Sequence, residues 1–327
     1  MNKKLNHSFL VLLFLIVPLM ITSWSTQLQS QEKYPTRAID IICPFAAGGA
    51  TDIYARFAAD SLRKKWDVPL NVINKTGGNT IPGNIELYNS KPDGYTVMAD
   101  CNSSSSLLEA GARDKPFKVM DRTFIAIIAI SQNVFYVPSN SPIKTMKDLE
   151  AEIKKAPEQF TWASWGTGSY TDYGARLFFK SIGIDVSKTK PVMSRGTGEA
   201  TSLVAGGHVK LGIGTAVSVY PVIKAETVRA IGMTGLRHPD YPGVATMEEQ
   251  GYPTVKWVYW MGFSGPPKLS SYVIDKWNEA LKEISKDPEY SSRLIKAGGV
   301  PHYLNSTQAR DYVMKEFEET AYLWGLK

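Results

Sequence analysis

Apolar positions along the chain fall into short runs, broken by stretches where they recur every third or fourth residue. Ile39-Asp40-Ile41-Ile42-Cys43 reads as a short buried strand, ended by Pro44, which cannot donate to a central ladder. Ala46 to Ala50 carry almost no side-chain bulk, and Gly48 and Gly49 are free to take positive φ. Ile53, Phe57, Ala58 and Leu62 then recur at helical spacing, with Thr51 or Asp52 as the cap. A strand, a bare turn and a helix N-terminus in this order leave backbone N–H groups and a positive dipole end facing outward, where an anion can sit. Tight packing alone can also require such glycines. The turn is not Gly-x-Gly-x-x-Gly and lacks a Gly-Lys-Ser/Thr ending, so a nucleotide is not the expected occupant.

The same alternation continues. Strands are predicted at 68–74, 95–99, 124–130, 161–164, 209–214 and 228–233, with a further extended stretch at 190–194. Helices are predicted near 53–65, in a short stretch from the glycine-rich turn 76–84 to 89, from 141 to the limit set by Pro157, and at 172–182, 200–205, 220–225, 270–286 and 306–323. Residues 133–137 read as a crossing segment. Asn102 to Ser106, small and polar, follow a strand directly and bring in Ser103 as a candidate contact. Ser164 ends another strand, and Trp165-Gly166-Thr167-Gly168-Ser169 repeats the geometry of the opening turn. Arg195 and Thr215 likewise follow strands. Strands alternating with helices imply parallel pairing and an α/β class. Two such sets occupy roughly 34–132 and 135–250. In open α/β sheets ligands bind beyond the carboxyl ends of the strands, so two facing sets make a cleft suited to a small anion.

The 327 residues are ample for two cores, and 43% hydrophobic with 21% charged is an ordinary globular balance. The N-terminus is the exception: Lys3 and Lys4 precede an apolar run from Phe9 to Ile21, then small and polar residues. This is the pattern of a secretory signal peptide over residues 1–30, with an uncleaved anchor as the alternative. Removing it takes away two lysines and no acids, lowering the net charge from +6 to +4. The remaining basic residues are scattered, which does not support nucleic-acid binding. Cys43 and Cys101 each close a strand; in an exported protein they can form a disulfide or stay two buried thiols.

Tyr34-Pro-Thr-Arg-Ala-Ile, Pro44-Phe-Ala-Ala-Gly-Gly-Ala-Thr-Asp52 and Lys91-Pro-Asp-Gly-Tyr-Thr96 resemble the N-terminal signatures of periplasmic solute receptors of tripartite tricarboxylate transporters, the TctC or Bug receptors. Gly196-Thr-Gly-Glu-Ala200, Gly206-Gly-His-Val209, Arg229-Ala230, Trp260, Gly265-Pro-Pro267 and Asp287-Pro288 extend the resemblance from about Tyr34 to the C-terminus. It implies a two-lobed periplasmic-binding-protein type II fold, with one lobe of 34–132 plus 251–327 and the other of 135–250. It implies a periplasmic monomer that closes on a small carboxylate, needs no cofactor or metal, performs no catalysis, and hands its solute to two membrane transporter subunits. The loop matching Phe45, Ala46, Ala47, Gly48, Gly49, Thr51 and Asp52 would hold one carboxylate, partly through water. The loop matching Ser164, Trp165, Thr167, Gly168 and Ser169 would hold the other end.

The chain departs from that pattern at Asp172, where histidine is common, at Ser194-Arg195, and at Lys210. Trp162, Trp165, Tyr170 and Tyr173 also make the second loop unusually aromatic. Asp172 reads either as a capping or surface acid or as the partner of a ligand ammonium. Trp165 either stacks on a ligand or packs on the next helix. Arg195 is either solvated or a carboxylate clamp. Together these departures lead us to expect an aromatic or amino-bearing carboxylate over citrate. Trp257, Tyr259 and Trp260 read as core or hinge. No Gly-x-Ser-x-Gly elbow, His-Glu-x-x-His or paired-cysteine metal site is present, which disfavours a secreted hydrolase; a sensor feeding a membrane signalling partner is the remaining alternative.

Overall fold

The computed structural model describes residues 33–112 and 114–325. The signal-peptide reading of residues 1–30 lies outside them. The elements in chain order begin β1 (Ile39–Cys43), α1 (Ala50–Trp66), β2 (Leu70–Asn74), α2 (Ile81–Tyr88), β3 (Thr96–Cys101), α3 (Ser106–Gly111) and β4 (Thr123–Ser131). The middle of the chain forms β5 (Asn133–Pro138), α4 (Met146–Lys155), β6 (Thr161–Ser164), α5 (Tyr170–Ser181), β7 (Lys190–Met193), α6 (Thr197–Ala205), β8 (Gly212–Thr215), α7 (Ala216–Lys224) and β9 (Val228–Met233). β10 (Tyr259–Gly265), α8 (Ser271–Ile284), α9 (Pro288–Lys296), β11 (Val300–Leu304) and α10 (Ser306–Leu323) complete it. None of these helices is long and apolar enough to cross a membrane.

Helix starts follow local chemistry. Thr145 and Asp148 form a reciprocal capping box at α4, and Asn305 and Gln308 do the same at α10. Ser270 caps α8, while Asp287 caps α9 with Pro288 at its first position.

The strands form two separate arrays. The first is a six-stranded sheet in the order β11-β4-β10-β3-β1-β2, parallel across β3-β1-β2 and antiparallel where β10 meets β3 and β4. The second has β5 between β8 and β9, antiparallel to both, and a parallel β6-β7 pair joined to it by the Trp162–Leu211 bridge. Pairing is thus mixed, not the parallel set expected. The reason is the route of the chain: it passes from β4 to β5 in the other array through Gln132 alone and returns to the first sheet as β10, which runs antiparallel to β3 and β4. The predicted crossing at 133–137 is real but is itself the central strand of the second array.

The chain returns to the first sheet before β10, and Asn133 ties the two crossings together. Its side-chain amide donates to the Trp257 carbonyl at 3.0 Å and to Thr234 Oγ1 at 3.2 Å. Trp257, Tyr259 and Trp260 are buried at this junction, as the core or hinge reading had it.

Beneath the carboxyl ends of β1 and β3 lies a fully buried ion pair, Arg122 Nη2 to Asp100 Oδ2 at 3.0 Å. Arg122 also donates to Asn84 Oδ1 at 2.7 Å and to the Ser104 carbonyl at 3.2 Å, while Ser104 and Ser105 hydroxyls donate to Asp100. A charge with so many fixed partners sets the place of the turn after β3 and of α2 at once. Removing one partner strands the other charge without water, so Arg122→Met should lower the unfolding free energy by about 3–5 kcal/mol. The check is denaturant unfolding: the midpoint should fall at unchanged slope, and a near-wild-type midpoint would show that the pair is dispensable.

Candidate functional site

Loop one runs from Phe45 to Gly49 at the end of β1, and its residues Ala46 to Gly48 are exposed. Gly48 takes φ +80°, which only glycine adopts freely, and its N–H donates to Asp52 Oδ2 at 3.0 Å. Gly49 stands at the N-cap of α1 and has no side chain to cap it, so the first-turn amides receive no side-chain acceptor. Asp52 is buried and held by Arg56, at 2.9–3.1 Å, and by Asn74 Nδ2 at 2.9 Å. Burial raises the pKa of the Asp52 carboxyl, but the hydrogen bonds from Arg56, Gly48 and Asn74 outweigh it, and the net displacement is downward. Asp52 therefore braces the loop from inside.

Loop two repeats this construction at the end of β6. Gly168 takes φ +81°, its N–H donates to Asp172 Oδ2 at 3.1 Å, and Arg176 Nε donates to the same oxygen at 2.9 Å. Ser169 caps α5 by accepting from the Asp172 N–H at 3.3 Å. Ser164 Oγ accepts from Gly166 N, and Thr171 Oγ1 accepts from Trp165 N. Thr167 is the exposed residue of the turn. Asp172 is not at the surface, since it is 4% exposed, and its carboxylate is already paired with Arg176. Trp165 stacks on Tyr170, with ring centroids 6.3 Å apart, and so packs on its own helix.

One tyrosine links the two loops. Tyr259 shares a hydrogen bond with Thr51 Oγ1 at 2.7 Å and meets the Tyr170 ring edge-on at 6.0 Å. Loop two also rests on the end of α3: a Cβ on Gly111 would lie 2.8 Å from Gly168 Cα, so only glycine permits this approach. Ser103 sits buried in the turn after β3, next in the sheet to the strand that carries loop one. Thr215 is the N-cap of α7 at the end of β8, its hydroxyl bonded to Ser218. Arg195 is apart from these: its side chain is 94% exposed and paired with Glu199, in keeping with the solvated reading, at the rim of an open hollow of about 440 Å³.

Cys43 and Cys101 are free. Register explains it: Ile42 stands opposite Met98, so Cys101 extends well past the level of Cys43. Burial raises their thiol pKa values to about 12 and about 11, which keeps both protonated. Among the described residues no cluster of His, Cys, Asp and Glu suits a metal ion.

Sequence reading overlooked Arg56, Arg176, Asn74 and Glu316. The first two had a legible signal, because Gly-x-x-Thr-Asp-x-x-Ala-Arg occurs at both 48–56 and 168–176. Glu316 had none; it reaches the site only through the packing of α10. Its carboxylate accepts from Asn102 Nδ2, Ser106 Oγ and Trp260 Nε1, clamping the turn that holds Ser103 to the junction strand.

Two arrays bearing equivalent glycine turns at their strand ends match the two-lobed type II fold of periplasmic solute-binding proteins. The chain belongs to the tripartite tricarboxylate transporter family receptors, whose family model matches residues 54–323. Members of this family are periplasmic binding proteins rather than enzymes. A UPF0065 protein in the tcbD-tcbE intergenic region of Pseudomonas sp. strain P51 is 27% identical, over 88% of this chain and 87% of that one. A solved structure of a periplasmic transporter is 26% identical with a TM-score of 0.81, covering 88% of this chain and 96% of the other. Rpa4515 of R. palustris, solved with adipate, is 22% identical with a TM-score of 0.80, covering 90% and 99%.

Burial pushes the Glu316 carboxyl from 4.5 up to about 7, against the three donors that favour its charged form. A folded pKa above the unfolded one means that the native state binds the extra proton. The associated stability is full below the ordinary carboxylate range and is lost as pH rises through about 7. At about 1.4 kcal/mol per unit, the wild-type protein should lose up to roughly 3 kcal/mol over this window, and Glu316→Gln should flatten that dependence. Unfolding free energies at pH 4.5, 6 and 8 for both proteins check this; parallel curves would refute it.

Proposed function

We propose that this chain is a periplasmic receptor that captures a small carboxylate between its two loops and delivers it to the membrane subunits of a tripartite transporter. One observation carries the reading: the same glycine turn, at φ +80° and +81° and braced by the same aspartate–arginine pair, stands on both strand arrays. Each turn feeds a helix N-terminus, α1 being uncapped by any side chain, and such ends favour negative charge. An inward aspartate would oppose an anion at short range, and in each loop an arginine offsets it. The loop residues Ala46 to Gly49 and Thr167 to Ser169 make the contacts, with Phe45 and Trp165 flanking them and Ser103, Ser164 and Thr215 behind. In this reading the lobes comprise 34–132 plus 251–327 and 135–250, and residues 1–30 direct export. The adipate held by Rpa4515 is a ligand of this chemical class; at that identity it bears on the fold, and the loops carry the argument for this chain.

A ligand bound only by the native state raises apparent stability, by about 2.7 kcal/mol at a hundredfold excess over Kd. A thermal-shift screen of mono-, di- and tricarboxylates against sugars and neutral amides should therefore show concentration-dependent upward shifts with carboxylates. Shifts confined to the sugars or amides would refute the proposal.

A further inference from the structure

We infer that Trp324, at the C-terminal end of α10, is a positioning residue for solute capture, a latch that holds the second array against the first when the cleft is closed. This rests on the capture reading given above. α10 belongs with the first array, where Ala309 and Val313 pack with Leu108, Phe124 and Trp260. Glu316 anchors it there through Asn102, Ser106 and Trp260. Thr320 and Trp324 follow Glu316 at intervals of four, so the three share one side of the helix end. That side passes from the first array to the second. The Thr320 hydroxyl hydrogen-bonds that of Tyr173 in α5, and the Trp324 ring meets the Tyr173 ring edge-on with centroids 6.3 Å apart. Beside them, Lys180 Nζ of α5 lies 4.8 Å from the centre of the Tyr322 ring.

Trp324 also touches the first array. A Cβ on Gly111, the last residue of α3, would lie 3.2 Å from Trp324 Cζ3 and 2.8 Å from Gly168 Cα. One ring thus stands against both arrays where their backbones meet. Tyr173 is held from its other side by Trp257 of the returning crossing, at 6.2 Å, so the latch sits beside the pivot. A rotation about the crossings that parts the arrays moves Tyr173 and Gly168, while Glu316 keeps α10 with the first sheet. The Trp324 contact then shears. Its strength suits a contact that must release. An aromatic pair adds only a modest gain beyond its buried area, and the Trp324 Nε1 is buried with no acceptor among the described residues, which opposes the seating of the ring. Such a tie biases the closed form without freezing it.

The test is stopped-flow binding and release of adipate by the purified protein; if adipate gives no thermal shift, the carboxylate with the largest shift replaces it. Trp324→Ala should release the probe about tenfold faster while its association rate stays within about threefold of wild type. Trp324→Phe keeps a ring for Tyr173 and drops the unpaired N–H, so its release should match wild type or be slower. Tyr322→Ala alters an exposed side chain, so it decides the matter if Trp324→Ala does not fold; its release should quicken by about two- to threefold. Release rates unchanged in the alanine variants overturn the inference and leave the capture reading intact. So does a loss of affinity in Trp324→Ala that lies in association alone, or a Trp324→Phe protein that releases as fast as Trp324→Ala. A wild-type protein that binds no carboxylate overturns the capture reading instead. The latch is then decided by small-angle X-ray scattering without any probe: Trp324→Ala should have the larger radius of gyration, and an unchanged radius overturns it.

Discussion

A glycine N–H donating to an aspartate four residues on is the constraint from which both binding loops take their form. The bond draws the carboxylate into the turn and accompanies a glycine at positive φ, while the next amides, Gly49 N–H and Ser169 N–H, close the turns on the Ala46 and Gly166 carbonyls. It would be unfavourable alone, because an ionised carboxylate buried without a counter-charge is costly. Arg56 and Arg176, one helical turn along, supply that counter-charge. Both loops are thus built around a buried negative charge that is paired with a cation.

Such loops are only as fixed as the platform under them. Arg122 and Asp100 join the turn after β3 to α2, and Asn84 and the serines satisfy what the pair leaves over. Glu316 then fastens the same turn to the strand by which the chain comes back from the second array. Asn133 binds the outgoing crossing to the returning one. Buried polar groups are therefore concentrated at the junction and beneath the loops, where relative position matters most, while apolar clusters fill the centre of each array.

Most helices and strands were legible in sequence because their periodicity is strong and their ends carry recognisable chemistry. β6 at 161–164 and β9 at 228–233 fall where the alternation places them, and α10 starts where its capping box does. β10 was not legible as a strand. Tyr259 to Gly265 is apolar on both faces because it lies between β3 and β4, and such a run looks like any buried segment. The mixed pairing was hidden for a related reason, since it depends on β10 returning from the second array to lie between β3 and β4, and no local pattern marks that return.

The sequence by itself determined the two glycine turns, the apolar strands before them and the helices after them, because these depend on backbone freedom and local spacing. It also contained the repeated aspartate and arginine, but not their meaning. Whether Asp172 faces a ligand or its own loop depends on a turn of the backbone that brings Gly168 N–H within reach, and on the rotamer that brings Arg176 to it. Tyr259, Glu316 and Asn133 lie far in sequence from the groups they hold, and no local pattern encodes a contact made only when two arrays close on one another. Those choices belong to the tertiary structure, because burial decides which polar groups must find partners, and the packing of distant elements decides which partners are there.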